Sequence, residues 1–218
     1  LTPSLATQLS GNGDAPALLE ELYQRRMFLD RRQAAEPVFQ FHALFLDFLK
    51  ARAKAAFRPD QLTHLLRRSA TALESIGEAE AAMELWLEAG IWDEAIRLLL
   101  REASNCLNRG NRQKLQRWIE AVPQQMTADQ SWLLYWLGRA QFQTNPKLGM
   151  ATIERALRSF ECHDDEQGRT TCLTDLISGA FVGFEALDAA DQWLDELLAL
   201  IDVVPGSPPD HIGLRTWG

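Results

Sequence analysis

Cysteine is scarce in this sequence. There are three in 218 residues, Cys106, Cys162 and Cys172. The number is odd and no CxxC spacing occurs, which favours free thiols in a reducing compartment over a disulfide framework. All three fall in helical patterns, where a cysteine behaves as a small buried hydrophobe. No apolar run approaches the ~20 residues that a membrane-crossing helix needs. An initiator Met and a signal-peptide pattern are also lacking. The expectation is a cytoplasmic protein segment that does not engage a membrane.

The motifs of catalysis are missing too. GxxxxGK[ST] and GxGxxG phosphate loops do not occur, nor does GxSxG or a Cys–His signature. "SGNGDAP" (10–16) has two glycines but no strand before it, and reads as a loop. The four histidines, His42, His64, His163 and His211, are far apart in the chain. "ECHDDE" (161–166) gathers Cys162, His163, Asp164 and Asp165 at a helix–helix junction. Consecutive side chains there point in different directions. It reads as a polar turn whose acidic residues favour the next helix's N-terminus. No metal site and no enzyme activity are expected.

Positive charge is in short supply. Lys and Arg number 22 against 30 Asp and Glu, a net charge of −8. Residues 1–58 carry 8 basic and 6 acidic residues, and residues 59–218 carry 14 and 24. A duplex-binding surface concentrates Lys and Arg on phosphates, so direct nucleic-acid binding is not expected. The one basic cluster, Arg25, Arg26, Arg31 and Arg32 around "MFLD", lacks the recognition helix that would accompany a DNA-contacting wing.

What is present is helix, with one small exception. "DAPALLEELYQRR" (14–26) predicts a helix with Asp14 as cap, Pro16 in its first turn and a Glu21–Arg25 pair. "MFLDR" and "PVFQF" predict two short strands, with Pro37 where no ladder donor is lost. A helix follows whose apolar face is Leu44, Phe45, Phe48 and Leu49. Residues 1–58 thus read as the C-terminal part of a winged helix, with its first helix or two upstream of Leu1.

From Pro59 the pattern is helical throughout. Helices are expected at 60–76, 78–89, 92–107, 111–121, 128–144, 147–161, 166–184 and 187–203. Pro59, "TADQ" (127–130), Asn145–Pro146 and "SPP" (207–209) mark starts. Two of the expected stripes are Leu173, Leu176, Ile177, Ala180, Phe181, Phe184 and Trp193, Leu194, Leu197, Leu198, Ile201.

An internal repeat accompanies these helices. "GEAEAAMELW" from Gly77 and "GIWDEAIRLL" from Gly90 share Gly, then Ala82 or Ala95, then Leu85 or Leu98, then Trp86 or Leu99. "GNRQKLQRWI" from Gly110 keeps the Gly and closes on Trp118–Ile119, with Leu115 in place of the Ala. Short helices joined by one or two turn residues are solenoid units. The fold class is therefore mainly α: a partial winged helix with a β-hairpin (1–58), then a tetratricopeptide-like superhelix of antiparallel helix pairs (59–218), expected to continue past Gly218. Most of the seven tryptophans fall on core stripes. Trp92, at a helix start, is the one expected at an effector or partner surface.

"ALLEELYQRRMFLDRRQAAEPVFQFHALFLDFLKARA" resembles the winged-helix segment of MalT-like STAND ATPases, the large LuxR-type transcriptional regulators. "FHALFLDFL" and "WIEAVP" (118–123) carry the resemblance most specifically, and the later helices are similar to that family's sensor repeats. The resemblance implies a regulatory segment of a signal-transduction protein. An upstream nucleotide-binding domain would be its partner in cis, and the repeats would bind an effector or a protein. No cofactor is implied for the segment, and ATP or ADP for the whole protein. In related STAND proteins a histidine placed like His42 touches ADP phosphate at rest, although here its neighbours are Phe41 and Ala43. The alternative is a stand-alone tetratricopeptide-like scaffold that binds other proteins.

Overall fold

The computed structural model describes residues 1–128, 130–183 and 187–202. It divides into two compact units, Leu1–Leu98 and Leu99 onward. Among the described residues no helix is long and apolar enough to cross a membrane.

The first unit opens with a helix that the sequence reading did not anticipate. Helix α1 (Pro3–Ser10) starts on Thr2, whose hydroxyl accepts the Leu5 N–H, and stops at Gly11 in the left-handed conformation. A helix ahead of α2 thus lies within the chain. Helix α2 (Ala15–Gln24) follows; Asp14 precedes it but makes no side-chain cap. Strands β1 (Leu29–Arg32) and β2 (Val38–Phe41) form an antiparallel hairpin, with Leu29 opposite Phe41 and Arg31 opposite Phe39. Period-2 alternation turns Leu29 and Phe39 inward onto Ala6, Ala15 and Leu19, with Leu22 and Phe41 packed against them.

Helix α3 (Ala43–Ala56) closes this segment and buries none of its residues. The expected apolar face is half right. Phe45 and Leu49 are half-buried, whereas Leu44 is 85% exposed and Phe48 is 55% exposed. The inner stripe is Phe45, Leu49 and Ala53, a strict four-residue step. Leu44 and Phe48 therefore fall on its flank.

Helices α4 (Pro59–Ser75), α5 (Ala79–Ala89) and α6 (Trp92–Asn108) follow with short turns. Within the first unit, α1 packs on α4 and α4 on α5. Glu74 joins three helices: it accepts from Trp86 Nε1 at 2.7 Å and from Arg97 at 2.7 and 2.9 Å.

The second unit contains α7 (Arg112–Ala121), α8 (Gln124–Ala128), α9 (Ser131–Phe142), α10 (Pro146–Cys162), α11 (Glu166–Gly183) and α12 (Leu187–Asp202). Consecutive helices from α9 to α12 pack on one another. Their core includes Tyr135, Ile153, Leu157, Phe160, Leu173, Leu176 and Trp193. The helix expected over 128–144 is α9, starting at Ser131, and a short helix that was not expected, α8, precedes it after Pro123. Thr127 donates to the Pro123 carbonyl, so it does not form the expected capping box. By contrast, Asn145 caps α10 as read, accepting the Leu148 N–H at 3.1 Å.

At one crossing the backbones approach without side chains between them. A Cβ on Gly149 would lie 2.5 Å from Phe142 Cα, and one on Gly138 would lie 2.9 Å from the Gly149 carbonyl oxygen. No other residue fits there without moving a backbone.

The repeat seen in the sequence has a structural cause. Gly77, Gly90 and Gly110 all have φ between +66° and +82°. In each case the following N–H reaches back five residues: Glu78 to Leu73, Ile91 to Trp86, Asn111 to Cys106. That is the Schellman ending, and it satisfies the last carbonyls of each helix. Two more helices end the same way without glycine. Asp164 (φ +54°) and Arg26 (φ +55°) hold the left-handed position, with Asp165 donating to Phe160 and Met27 to Leu22.

The small-then-large pairs follow these three glycine endings, with Leu115 in the small position of the third. Ala82, Ala95 and Leu115 are fully buried, and Trp86, Leu98–Leu99 and Trp118–Ile119 fill the core beside them. The chain is mainly α, a small hairpin segment followed by tetratricopeptide-like helix pairs.

Not every expected stripe is buried. In α11, Leu173, Leu176 and Ala180 are buried but Phe181 is 62% exposed. In α12, Trp193 is buried and Leu197 half-buried, whereas Leu194, Leu198 and Ile201 are exposed. Cys106 and Cys172 are buried, but Cys162, in the last turn of α10, is exposed. Phe184, His211, Trp217 and the "SPP" at 207–209 lie outside the described residues.

Candidate functional site

Where the chain leaves α2, it must reverse within four residues to start β1. Arg26 closes the helix, and Phe28 then adopts φ +54° as well. For an aromatic residue this backbone conformation is an outlier, costing roughly 1–3 kcal/mol, and such strain collects at functional positions. The Phe28 carbonyl accepts the His42 N–H at 2.9 Å. Because the hairpin register ends on Leu29 opposite Phe41, His42 falls just past the last pair and faces this turn.

The result is an open depression of about 490 Å³, lined by Tyr23, Gln24, Arg26, Phe28, Leu29, Asp30 and His42. The His42 side chain is 55% exposed, and its Nε2 lies 3.4 Å from Asp30 Oδ2. Its ring stands edge-on to Phe28 with centroids 6.4 Å apart. His42 precedes α3 but gives that helix no side-chain cap. The imidazole is thus held by its backbone, by Asp30 at Nε2 and by one ring contact, and it stays half exposed to solvent.

Arg26 is the cation on the rim. The other arginines of the cluster are partly committed. Arg25 pairs with Glu21, as its spacing predicts. Arg31, facing inward from β1, donates to both oxygens of Glu20 at 3.1 Å and lies over the Tyr23 ring. An inward charge of this kind blunts an edge strand. This leaves fewer free cations on the hairpin than the sequence suggests for a phosphate-binding wing.

Trp92 starts α6 and is half-buried. Its ring sits 3.8 Å from where a Cβ on Gly90 would be, so it folds over the preceding turn. The structure keeps Trp92 and His42 as separate features; no contact joins them among the described residues. His64 is exposed on α4. His163 turns back on its own helix, its Nδ1 2.7 Å from the Ser159 carbonyl oxygen. Asp165 accepts the Gly168 N–H and caps α11, so "ECHDDE" forms a turn and a cap. Among the described residues no three His, Cys, Asp or Glu side chains converge on a metal position.

A second polar cluster lies inside the repeats. Tyr135 donates to Asp175 at 2.7 Å, and Arg139 donates to Asp175 at 2.7 Å and to Tyr135 at 2.9 Å. Burial, and then the Asp175 charge, push the Tyr135 phenol well above its ordinary value. Burial likewise pushes the Cys172 thiol up to about 12, so it is not a nucleophile at neutral pH. This cluster ties α9 to α11. Sequence reading missed it, because residues 40 apart carry no local signal. Asp30, Tyr23 and Phe28 were missed as site residues for a related reason: only the hairpin register places them beside His42.

Relatives were found over most of the chain. It is 25% identical over 214 residues to the serine/threonine-protein kinase PknK of Mycobacterium tuberculosis, and equally to that of Mycobacterium bovis. The match covers 96% of this chain but only 19% of the length of those relatives. Among solved structures, it is similar to a MamA RS-1 double mutant, with a TM-score of 0.47, 15% identity and coverage of 93% of this chain and 98% of that one. It is also similar to residues 41-end of MamA from Desulfovibrio magneticus RS-1, with a TM-score of 0.46, 15% identity and coverage of 94% and 99%. Residues 1–62, which contain α1, α2, the hairpin, α3 and the start of α4, match the MalT winged helix domain, and this is the family resemblance that the chain's own residues carry.

Proposed function

We propose that this chain is a non-catalytic regulatory segment of a MalT-like STAND protein. In this reading residues 1–58 are the later part of the winged helix and residues 59–218 the start of the sensor repeats. The repeats bind an effector or a protein partner, with Trp92 on that surface. The winged helix passes the event to a nucleotide-binding domain in the same polypeptide. The protein acts in the cytoplasm, in transcriptional control.

The observation that carries the reading is His42. A half-exposed imidazole, beside an acidic partner and a strained turn, is poor structural filler. It suits hydrogen bonding to a phosphate oxygen, which a charged imidazole does strongly. The residues present fit the phosphate end of a nucleotide only: His42 donates and Arg26 adds charge at the rim. The depression is open, which agrees with a site shared with another domain. Bound ADP would supply the state that the winged helix senses. An effector that favours the released arrangement then shifts the population by its differential affinity.

The test uses the longer protein. His42→Ala should shorten retention of bound ADP by on the order of tenfold, the equivalent of about 1.4 kcal/mol for a charge-assisted hydrogen bond. Unchanged retention would remove the role given to His42.

A further inference from the structure

Helix α3 is attached at its two ends by different means. Near its N-terminus, Phe45 meets Phe41 and Phe28, with ring centroids 5.9 and 5.6 Å apart. Near its C-terminus two lysines, one turn apart, reach a single carboxylate on α5. Lys54 Nζ lies 3.6 Å from Glu88, and Lys50 Nζ lies 3.9 Å from it. These are ion pairs without close hydrogen bonds, the kind that salt screens readily.

Glu88 is an odd residue for its place. It stands in the last turn of α5, two residues before the left-handed Gly90. A carboxylate there meets the negative end of the helix dipole, which disfavours it. It is 28% exposed, so solvent compensates only in part. Its placement becomes favourable when α3 lies alongside with both lysines turned to it.

The lysine flank and the uncovered apolar flank lie on opposite sides of the inner stripe. At about 100° per residue, Lys50 and Lys54 fall on one side of Phe45, Leu49 and Ala53, and Leu44 and Phe48 fall on the other. Turning the lysines to α5 therefore turns Leu44 and Phe48 outward. The link between α3 and α4 is two extended residues, Phe57 (ψ 144°) and Arg58 (ψ 154°), ahead of Pro59. A fully buried helix end would resist motion at such a link; α3 has no buried residue to do so.

We propose that α3 is a clasp, held on α5 by Lys50 and Lys54 against Glu88. It swings at Phe57–Arg58 when that charge contact is broken, so the contact sets how Leu44 and Phe48 are presented. The clasp belongs to this chain's own helices and does not depend on a nucleotide. Two exposed lysine–carboxylate pairs favour the closed arrangement by on the order of tenfold, weak enough for a partner to reverse.

The experiment is a distance measurement on the full chain. Spin labels go on exposed positions of α3 and α5, as Ala51→Cys and Ala81→Cys, in a Cys162→Ser background. At low salt one narrow distance should dominate. Glu88→Gln should raise the longer-distance population several-fold, and 0.5 M salt should do the same to the unaltered charges. The charge exchange Lys50→Glu, Lys54→Glu with Glu88→Lys should restore the narrow distance. That rescue separates a clasp from general damage to α5. A distribution indifferent to Glu88→Gln and to salt, or a failed rescue with helicity intact, would overturn the proposal.

Discussion

Helices α3 and α10 make an instructive pair. They have 14 and 17 residues, and α3 has the larger share of apolar side chains, yet α10 buries seven residues and α3 buries none. In α10 the apolar positions Met150, Ile153, Ala156, Leu157 and Phe160 step by three and four, and each finds a neighbour in α9 or α11. In α3 the same periodicity is present, but Leu44 and Phe48 stay exposed, Phe48 stacking on Phe45 of its own helix. Periodicity reports that a helix has an apolar side. Whether that side is covered depends on what lies next to it.

Substitutions that remove equal amounts of apolar surface should therefore behave very differently. Phe160→Ala should cost about 3–5 kcal/mol, since the ring is 1% exposed and packs on Trp132 at 4.9 Å. Phe48→Ala in α3 should stay within about 0.5 kcal/mol. Urea unfolding of both variants checks the contrast, and similar losses would break it.

The Gly138–Gly149 crossing should give the next largest effect. Gly149→Ala must push Cβ into the Phe142 backbone and should cost about 1–3 kcal/mol, whatever alanine adds to helix propensity. Gly13→Ala, with open space around it, is the control. Thermal unfolding should show a fall of about 2–4 °C for each kcal/mol lost.

The third prediction concerns alkaline pH. The Cys172 thiol is pushed from 9.0 up to about 12 by burial, and the Tyr135 phenol is pushed up from 10.0. A group with a raised folded value keeps its proton in the native state after the unfolded chain has lost it. Stability is then full below the unfolded values and falls as pH rises through 9 to 12, by up to about 1.4 kcal/mol per pH unit for each group. Cys172→Ala should flatten the first part of that fall, measured as the urea midpoint from pH 8 to 11. An unchanged slope would show that Cys172 is not protected as the structure has it.

The smallest expected effect is at the fourth repeat boundary. Asp164 holds a left-handed position that glycine occupies at Gly77, Gly90 and Gly110. Asp164→Gly should be neutral or stabilising by up to about 1 kcal/mol, whereas Gly90→Asp should destabilise. A destabilised Asp164→Gly protein would show that its carboxylate does more than fill the turn.

These cases also show which features are readable in a sequence. Helix starts at Pro59 and Asn145, and the repeat anchored on Gly77, Gly90 and Gly110, were legible because glycine and proline act locally. The ending at Asp164 was not, since an aspartate in a left-handed turn looks like any polar residue. Helix α1 was missed because eight residues with one proline give too short a period. The core faces of α3 and α12 were misjudged because their uncovered halves, Leu44 and Phe48 or Leu194 and Leu198, carry the same pattern as buried ones. At the site, His42 stood out by residue type. Its setting of Phe28, Asp30 and Arg26 comes from hairpin register and two positive φ values, which no spacing rule reveals.

Amide hydrogen exchange tests the proposed function most directly: a nucleotide phosphate held at His42 should order the strained turn and the helix α3 that follows it. In this chain alone, α3 should exchange by local opening while α10 exchanges only near global unfolding. In the longer protein loaded with ADP, α3 and the turn from Arg26 to Phe28 should gain at least tenfold protection, with α10 unchanged. Equal exchange of α3 in both settings would contradict the account.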